Sequence, residues 1–216
     1  MTLMRTEDLI QALAADTPRV PPHMAERRVF AGLLLGAAAT FALVALALGL
    51  RSDLPGSMMQ GHFLMKWAYS LSLGVIAIFA VLRAARPESP PWRSAWLLAL
   101  PFGLLLAGSA VELAIAPADH RMAMLMGHSN WKCMAGVSLL SLPIFAGLLW
   151  AFRRLAPTRL RTAGAALGLT AGAASATLYA LHCNEVTATF VVTWYTLGIM
   201  VSGLIGALVG PRLLRW

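Results

Sequence analysis

The stretch Tyr179-Ala-Leu-His-Cys-Asn-Glu-Val-Thr-Ala-Thr-Phe-Val-Val-Thr-Trp-Tyr195 decides how this chain folds. Two long apolar runs meet in this stretch, and a short polar turn joins them. The turn holds Cys183, one of only two cysteines in the chain, and the other, Cys133, lies fifty residues earlier at the start of another apolar run. We therefore expect the chain to fold so that the two thiols meet on one face of a membrane.

The composition indicates an integral membrane protein. The 216 residues are 59% hydrophobic and only 12% charged, which lies far on the apolar side of the usual globular average. Six apolar runs follow, at about 29–50, 63–83, 95–116, 131–152, 162–182 and 189–210. Each approaches the ~20 residues that a helix needs to cross a ~30 Å hydrocarbon core, and the alternation of barrel strands is absent. The sequence predicts an all-α bundle of six transmembrane helices over residues 29–212, facing membrane lipid and preceded by a short segment over residues 1–28.

Basic residues predict the orientation of this bundle. Of the 17 lysines and arginines, 13 lie on the side that carries both termini, and four lie on the other side, namely Arg51, Lys66, Arg121 and Lys132. The positive-inside rule therefore places both termini in the cytoplasm. Arginines at the helix ends account for the net charge of +8, so the charge does not indicate direct nucleic-acid binding.

Glycines recur at four-residue spacing in three of the predicted helices. They form Gly32-xxx-Gly36, Gly164-xxx-Gly168-xxx-Gly172 and Gly206-xxx-Gly210. This spacing lets helix backbones approach each other closely within a membrane. We expect the fifth helix, which carries three of these glycines, to lie at the centre of the bundle.

The two cysteines are predicted to lie at the same depth. Cys133 precedes Arg153 by 20 residues, and Cys183 follows Arg161 by 22 residues. At 1.5 Å per residue these separations are roughly 30 and 33 Å, so both thiols reach the outer interface. Spacing alone leaves three interpretations open: small apolar fillers, a permanent structural disulfide, or a redox- or metal-responsive pair.

Other polar groups reach the same level as the thiols. Thiolate, imidazole and carboxylate groups at one depth make a candidate soft-metal site, formed by Cys133, Cys183, His182 and Glu112. Lys132, beside Cys133, is the basic residue expected to favour its thiolate. The sequence has no activated nucleophile, no phosphate-binding glycine loop and no HExxH motif. It therefore does not indicate an enzyme, and it predicts no cofactor other than a transient soft-metal ion.

Residues 1–28 are the only sizeable stretch suited to water. Leu9, Ile10 and Leu13 share one face of a predicted short helix, and Asp8 lies in its first turn, where the helix dipole favours acids. Pro18, Pro21 and Pro22 end this helix. A short amphipathic helix that docks in a groove is a common recognition mode, and these four residues are the candidate docking surface.

Four motifs together resemble a known family. They are Tyr179-Ala-Leu-His-Cys-Asn-Glu, the following Phe190 to Trp194-Tyr195-Thr-Leu-Gly198, Cys133 leading into Leu140-Ser-Leu-Pro143, and Asp8-Leu-Ile-Gln-Ala-Leu13 before a proline-bearing linker. Over nearly its full length the chain resembles the six-helix membrane anti-sigma factors of the NrsF type. The resemblance implies a multi-pass protein of the bacterial inner membrane whose cytoplasmic segment holds an extracytoplasmic-function (ECF) sigma factor away from RNA polymerase. It also implies that Cys133 and Cys183 sense heavy metal or oxidative stress in the envelope.

Two other functions use the same cysteines. A membrane thiol oxidoreductase or metal-handling protein would use the pair as its chemistry, although the missing CxxC and cofactor motifs argue against it. A structural membrane subunit would hold the two cysteines in a permanent disulfide. The residues themselves favour the regulator on one point, because the candidate sensory groups lie outside and the only docking segment lies inside.

Overall fold

The computed structural model describes residues 5–15, 21, 23–85, 93–155 and 157–215. Within these ranges the chain is all-helical, and no strand is present. The helices are α1 (Thr6–Ala15), α2 (Met24–Leu48), α3 (Leu54–Ser57), α4 (Gly61–Ala84), α5 (Ala99–Ile115, after a 3-10 helix at Arg93–Leu98), α6 (Ala118–Met126), α7 (Asn130–Phe152), α8 (Leu160–Tyr179) and α9 (Ala188–Leu213). Two short stretches are π-helical, Val44–Leu48 in α2 and Val191–Tyr195 in α9. The predicted all-α class is confirmed.

Each predicted apolar run forms a long helix, and the described chain has five helices that are long and apolar enough to cross a membrane. They cover Met24–Leu48, Gly61–Ala84, Trp96–Ile115, Ala118–Phe152 (α6 and α7 taken together) and Ala188–Leu213. The remaining long helix, α8, has 20 residues, but alanine, glycine, serine and threonine make it less apolar than the others. Helix α2 begins at Met24, so the end of the predicted docking segment is continuous with the first long helix. Pro18, Arg19, Pro22 and Arg86 lie outside the described residues.

Helix α8 lies at the centre of the bundle, as its glycines predict. It packs mainly against α9, α4 and α7, and thirteen of its twenty residues are buried. Its backbone meets that of α9 along a glycine seam, where Gly164 lies against Gly206 and Gly168 lies against Ser202 and Gly203. Small side chains allow this approach, and the surrounding helices bury most of α8.

The other glycine pair joins α2 to α7. Gly32 lies against Gly147, and Gly36 lies against the backbone at Ile144. In the same interface the Thr40 hydroxyl donates a hydrogen bond of 2.9 Å to the backbone carbonyl of Leu140. Large apolar side chains point away from these contacts and cover the outside of the bundle, as at Leu34, Leu104 and Leu208.

The helices bring two sets of loops to opposite ends of the bundle. At one end, Arg153 Nε donates to the carbonyl of Leu213 at 3.1 Å, so the end of α7 meets the end of α9. At the other end, the Arg51 backbone N–H donates to the carbonyl of Leu181 at 3.2 Å, so the connection after α2 meets the turn after α8. The second end holds both cysteines.

Candidate functional site: a buried thiol pair

The structure brings Cys133 and Cys183 side by side as free thiols. Cys133 lies in the first turn of α7, and Cys183 lies in the turn that joins α8 to α9. Both are buried in one apolar cluster, which also contains Tyr179 and Tyr195. The Tyr179 ring packs on Gly136, one turn beyond Cys133, where a side chain would collide with it. The pair is therefore enclosed by aromatic rings rather than by solvent.

A buried lysine completes the site. Lys66 lies near the start of α4, and its exposed fraction is 0%. Its ammonium group donates to the backbone carbonyl of Cys183 at 3.0 Å and to the backbone carbonyl of Glu185. The same group lies 5.9 Å from the centre of the Tyr195 ring, within the range of a cation–π contact. Lys66 thus fixes the backbone on both sides of Asn184 from inside the bundle.

Two side chains of the turn 180–187 tie it to neighbouring connections. His182 Nδ1 lies 2.9 Å from the carbonyl of Gly49, at the end of α2. Glu185 Oε1 accepts from the backbone N–H of His128 at 2.7 Å and from the Ser129 hydroxyl at 3.2 Å. A carboxylate at this position also favours the start of α7, because helix N-termini attract negative charge. Glu185 therefore links the turn that carries Cys183 to the helix that carries Cys133.

The surroundings favour a Cys183 thiolate. The adjacent Cys133 thiol and the Lys66 ammonium lower the pKa of the Cys183 thiol to about 6, against the effect of burial. Arg51 contributes less, because its guanidinium forms a two-pronged ion pair with Asp53, with both N–O distances at 2.7 Å. That hydrogen bonding also lowers the pKa of Asp53. The Cys183 sulfur therefore has more thiolate character than an ordinary cysteine.

An open pocket of about 380 Å³ at this end of the bundle has Cys183 in its lining. The residues that line it are His128, Ser129, Tyr179, His182, Cys183, Asn184 and Glu185. Cys133 is not among them, and its exposed fraction is 0%, against 4% for Cys183. A small solute that enters the pocket therefore reaches Cys183 before Cys133.

The four predicted metal ligands do not meet at one point. The Glu112 carboxylate accepts from the backbone N–H and the hydroxyl of Thr189, both at 2.9 Å, and His182 turns to Gly49. Within the described ranges no three His, Cys, Asp or Glu side chains converge as a metal site. The reason is direction, since equal depth does not make side chains on different helices face each other. Of the four, only the side chains of Cys133 and Cys183 contact each other among the described residues.

The candidate docking residues lie on α1, away from the thiol pair. Asp8 occupies the first turn as predicted, and no residue of α1 is buried. The exposed fractions of Leu9, Ile10 and Leu13 are 45%, 60% and 63%. The structure thus forms the predicted short helix and presents its apolar residues on the surface.

The sequence did not assign Lys66 to the site, and it placed Glu185 at the level of the thiols without making it a site residue. The expected basic neighbour of the thiols was Lys132, but that residue is exposed, and Lys66 takes the position instead. A signal for Lys66 was available, because a charge several residues inside an apolar run is expensive in a membrane and usually serves a function. Glu185 gave no comparable signal, since an acid in a polar turn needs no partner.

The comparisons with known proteins agree with each other. Residues 13–216 match the family NrsF, described as "Negative regulator of sigma F". The chain is 40% identical over 215 residues to "Anti-sigma-F factor NrsF" of Caulobacter vibrioides (strain NA1000 / CB15N), covering 99% of this chain and 100% of that protein. It is 37% identical over 216 residues to "Probable anti-sigma-F factor NrsF" of Azospira oryzae (strain ATCC BAA-33 / DSM 13638 / PS), with the same coverage. No solved structure matches the chain.

Proposed function

Since the chain belongs to the NrsF family of negative regulators of sigma F, we propose that it is a membrane-bound anti-sigma factor that binds an ECF sigma factor through α1 and releases it when Cys133 and Cys183 react. The observation that carries the sensing part is the buried pair of free thiols beneath a pocket that reaches Cys183. Because these thiols pack against their neighbours inside the helical bundle, a new bond at either sulfur would shift the positions of the helices.

Two reactions at the pair would change this packing. In oxidation, the Cys183 thiolate and the Cys133 thiol together lose two electrons and one proton to an oxidant from the envelope, and an S–S bond forms between Cys133 and Cys183. In metal capture, the Cys133 thiol releases its one proton to water, and both sulfurs bond to one soft metal ion. Either product fixes a spacing between α7 and the turn after α8 that the free thiols do not impose.

The orientation follows from the distribution of charge. We infer six crossings of the bacterial inner membrane, with both termini in the cytoplasm and the thiol pair at the periplasmic end. Helix α8 counts as the sixth crossing because its neighbours enclose it, so it needs few large apolar side chains of its own. Reporter fusions after residues 57, 127 and 184 should report the periplasm, and fusions after residues 155 and 215 the cytoplasm. A fusion at 184 that reports the cytoplasm would refute this orientation.

The docking part is tested by co-purification with an ECF sigma factor from the same cells. Replacing Leu9, Ile10 and Leu13 together by Ala removes the exposed apolar face of α1, and we expect the sigma factor to be lost from the complex. Gln11→Ala is the matched control, because it changes an exposed position of the same helix. Sigma binding that survives the triple replacement would place the docking surface elsewhere.

The sensing part is tested with a sigma-dependent reporter. Cys133→Ser and Cys183→Ser should each abolish the response to cadmium and to the thiol oxidant diamide, while repression at rest persists. Ser138→Ala in α7 is the control, because it removes a buried hydroxyl from the same helix without touching a thiol. A reporter that still responds in both serine variants would refute sensing at the pair.

The competing function, a membrane thiol oxidoreductase, draws on one observation, the lowered pKa of the Cys183 thiol. The two functions differ in turnover. A sensor reacts once, so purified protein should consume no more than one equivalent of oxidant per cysteine pair. Repeated oxidation of a dithiol substrate by a single molecule would favour the enzyme.

A further inference from the structure

We propose that Lys66 is a positioning residue for the thiol pair: its buried ammonium is the counter-ion of a Cys183 thiolate and fixes the turn that carries it. The inference rests on the proposed function in taking the pair as the reactive centre. It adds a residue from α4, a helix that carries no cysteine, to the control of the reaction.

The burial of Lys66 needs a compensating interaction. Lysines in membrane helices normally extend their ammonium group to the interface, yet Lys66 is the one charged residue of the described chain with an exposed fraction of 0%. Its hydrogen-bond acceptors are two neutral carbonyls, and no carboxylate of the described ranges forms an ion pair with it. A buried charge without a counter-charge is strongly destabilising. A thiolate at Cys183 would supply that counter-charge.

The other groups around Cys183 do not replace Lys66 in this role. The neighbours of Cys183 are the Cys133 thiol on α7, Tyr179 at the end of α8 and Tyr195 on α9. The buried hydroxyl of Tyr195 has no nitrogen or oxygen partner within the described chain. None of these three groups is a cation.

The remaining charged groups near Cys183 are bound elsewhere. The Glu185 carboxylate is bound by the start of α7, and the Arg51 guanidinium is directed at Asp53, with its nearest approach to the Cys183 carbonyl at 3.5 Å. Lys66 is therefore the cation that the packing directs at the turn.

The consequence is a difference in reactivity between the two thiols. Alkylation by iodoacetamide requires a thiolate: the sulfur forms a bond to the CH₂ carbon, the C–I bond breaks, and iodide leaves. The pocket reaches Cys183, and Lys66 stabilises its thiolate, so we expect Cys183 to react first. Removing the ammonium should convert Cys183 to a neutral, slowly reacting thiol.

The experiment uses the full chain in nanodiscs of phosphatidylethanolamine and phosphatidylglycerol, with no sigma factor present. Alkylation of each cysteine by iodoacetamide is followed by peptide mass spectrometry from pH 5 to pH 9. Lys66→Met keeps the length of the side chain and removes its charge, and Lys66→Arg keeps the charge. Lys132→Met is the matched control, because it removes an exposed lysine beside Cys133.

We expect Lys66→Met to slow alkylation of Cys183 at pH 7 about tenfold or more, since a rise of two pH units in the midpoint lowers the thiolate fraction by that factor. The pH at which alkylation of Cys183 reaches half of its maximal rate should rise as well. Lys66→Arg and Lys132→Met should stay within about twofold of wild type by the same relation.

Two results with Lys66→Met would overturn the proposal. An unchanged rate and midpoint in Lys66→Met would mean that the ammonium is not the counter-ion. A faster rate would mean that Lys66 only braces the turn, so that its loss opens the site. If Lys66→Met does not fold, the wild-type protein still tests the proposal, because a Cys183 thiolate must be present at neutral pH; no thiolate absorbance at 240 nm below pH 8 would refute the counter-ion role. These readouts need no sigma factor, so they remain valid if the anti-sigma function fails.

Discussion

Replacing Gly168 by alanine should destabilise the bundle, because it places a methyl group inside the glycine seam between α8 and α9. The added Cβ would lie 2.9 Å from Gly203 Cα and closer still to the Ser202 carbonyl oxygen. Carbon atoms in contact prefer about 3.5–4.0 Å, so the two helices must separate by roughly an ångström along the seam. Backbone atoms cannot rotate away as a flexible side chain can.

Two opposing effects set the magnitude. Overpacking a close contact costs about 1–3 kcal/mol, and exchanging glycine for alanine within a helix returns about 0.5–1 kcal/mol. The expected net loss for Gly168→Ala is therefore about 1–2 kcal/mol. Gly103→Ala in α5 is the matched control, because its added Cβ would meet no described residue within 4 Å. This variant gains helix propensity without a collision and should be neutral or slightly more stable.

The assay is thermal unfolding in detergent, followed by the fluorescence of the seven tryptophans. Gly168→Ala should unfold several degrees below wild type, since ~1 kcal/mol corresponds to about 2–4 °C for a chain of this size. Gly103→Ala should unfold at the wild-type temperature or above it. Equal unfolding temperatures for the two variants would refute the close approach of α8 and α9 and the central place of α8.

The remaining predictions concern the thiol end of the bundle. Glu112→Leu leaves the N–H of Thr189 without its 2.9 Å acceptor and should cost about 1–3 kcal/mol of stability in the same assay; no loss would show that the contact is not formed. Gly127→Ala places a side chain on a backbone with φ of 52° and against the Phe190 ring, so it should lower the unfolding temperature. Gly61→Ala should not lower it, because the added Cβ would meet no described residue within 4 Å. Acidification should also destabilise the fold: the folded pKa of the Cys183 thiol, about 6, lies below its ordinary value of 9.0, so the thiolate contributes stability that is complete above pH 9 and lost as pH falls through 6. Unfolding temperatures at pH 5 and pH 7.5 should differ more in wild type than in Cys183→Ser; equal differences would contradict this linkage.

The helices could be read from the sequence because their causes are local. Six apolar runs became six long helices, since a helix satisfies its own backbone and needs only a sustained run of apolar residues. The spacing of Gly164, Gly168 and Gly172 also predicted the central helix, because glycines on one face allow close approach wherever another helix meets them. The run that became α8 is the exception in composition, since a helix enclosed by others needs little apolar surface of its own.

The members of the site could be predicted only in part. Counting residues placed Cys133 and Cys183 at one depth, because rise along a helix axis is fixed at about 1.5 Å per residue. The same counting grouped Glu112 and His182 with them. In the structure, Glu112 binds Thr189 and His182 lies against the carbonyl of Gly49, so only the two thiols pair with each other. Depth follows from the sequence, but the direction of a side chain around the helix axis follows from its neighbours.

The sequence by itself therefore determined that the chain is helical, that its glycine-rich fifth helix lies at the centre, and that two cysteines share one end of the bundle. Only the tertiary structure decided that Lys66, more than a hundred residues before Cys183, binds the backbone carbonyl of Cys183, while Lys132, next to Cys133, is exposed. The physical reason is that a helix fixes the height of a residue through bonds within the segment. Its lateral partners are fixed by the packing of segments that are distant in the chain.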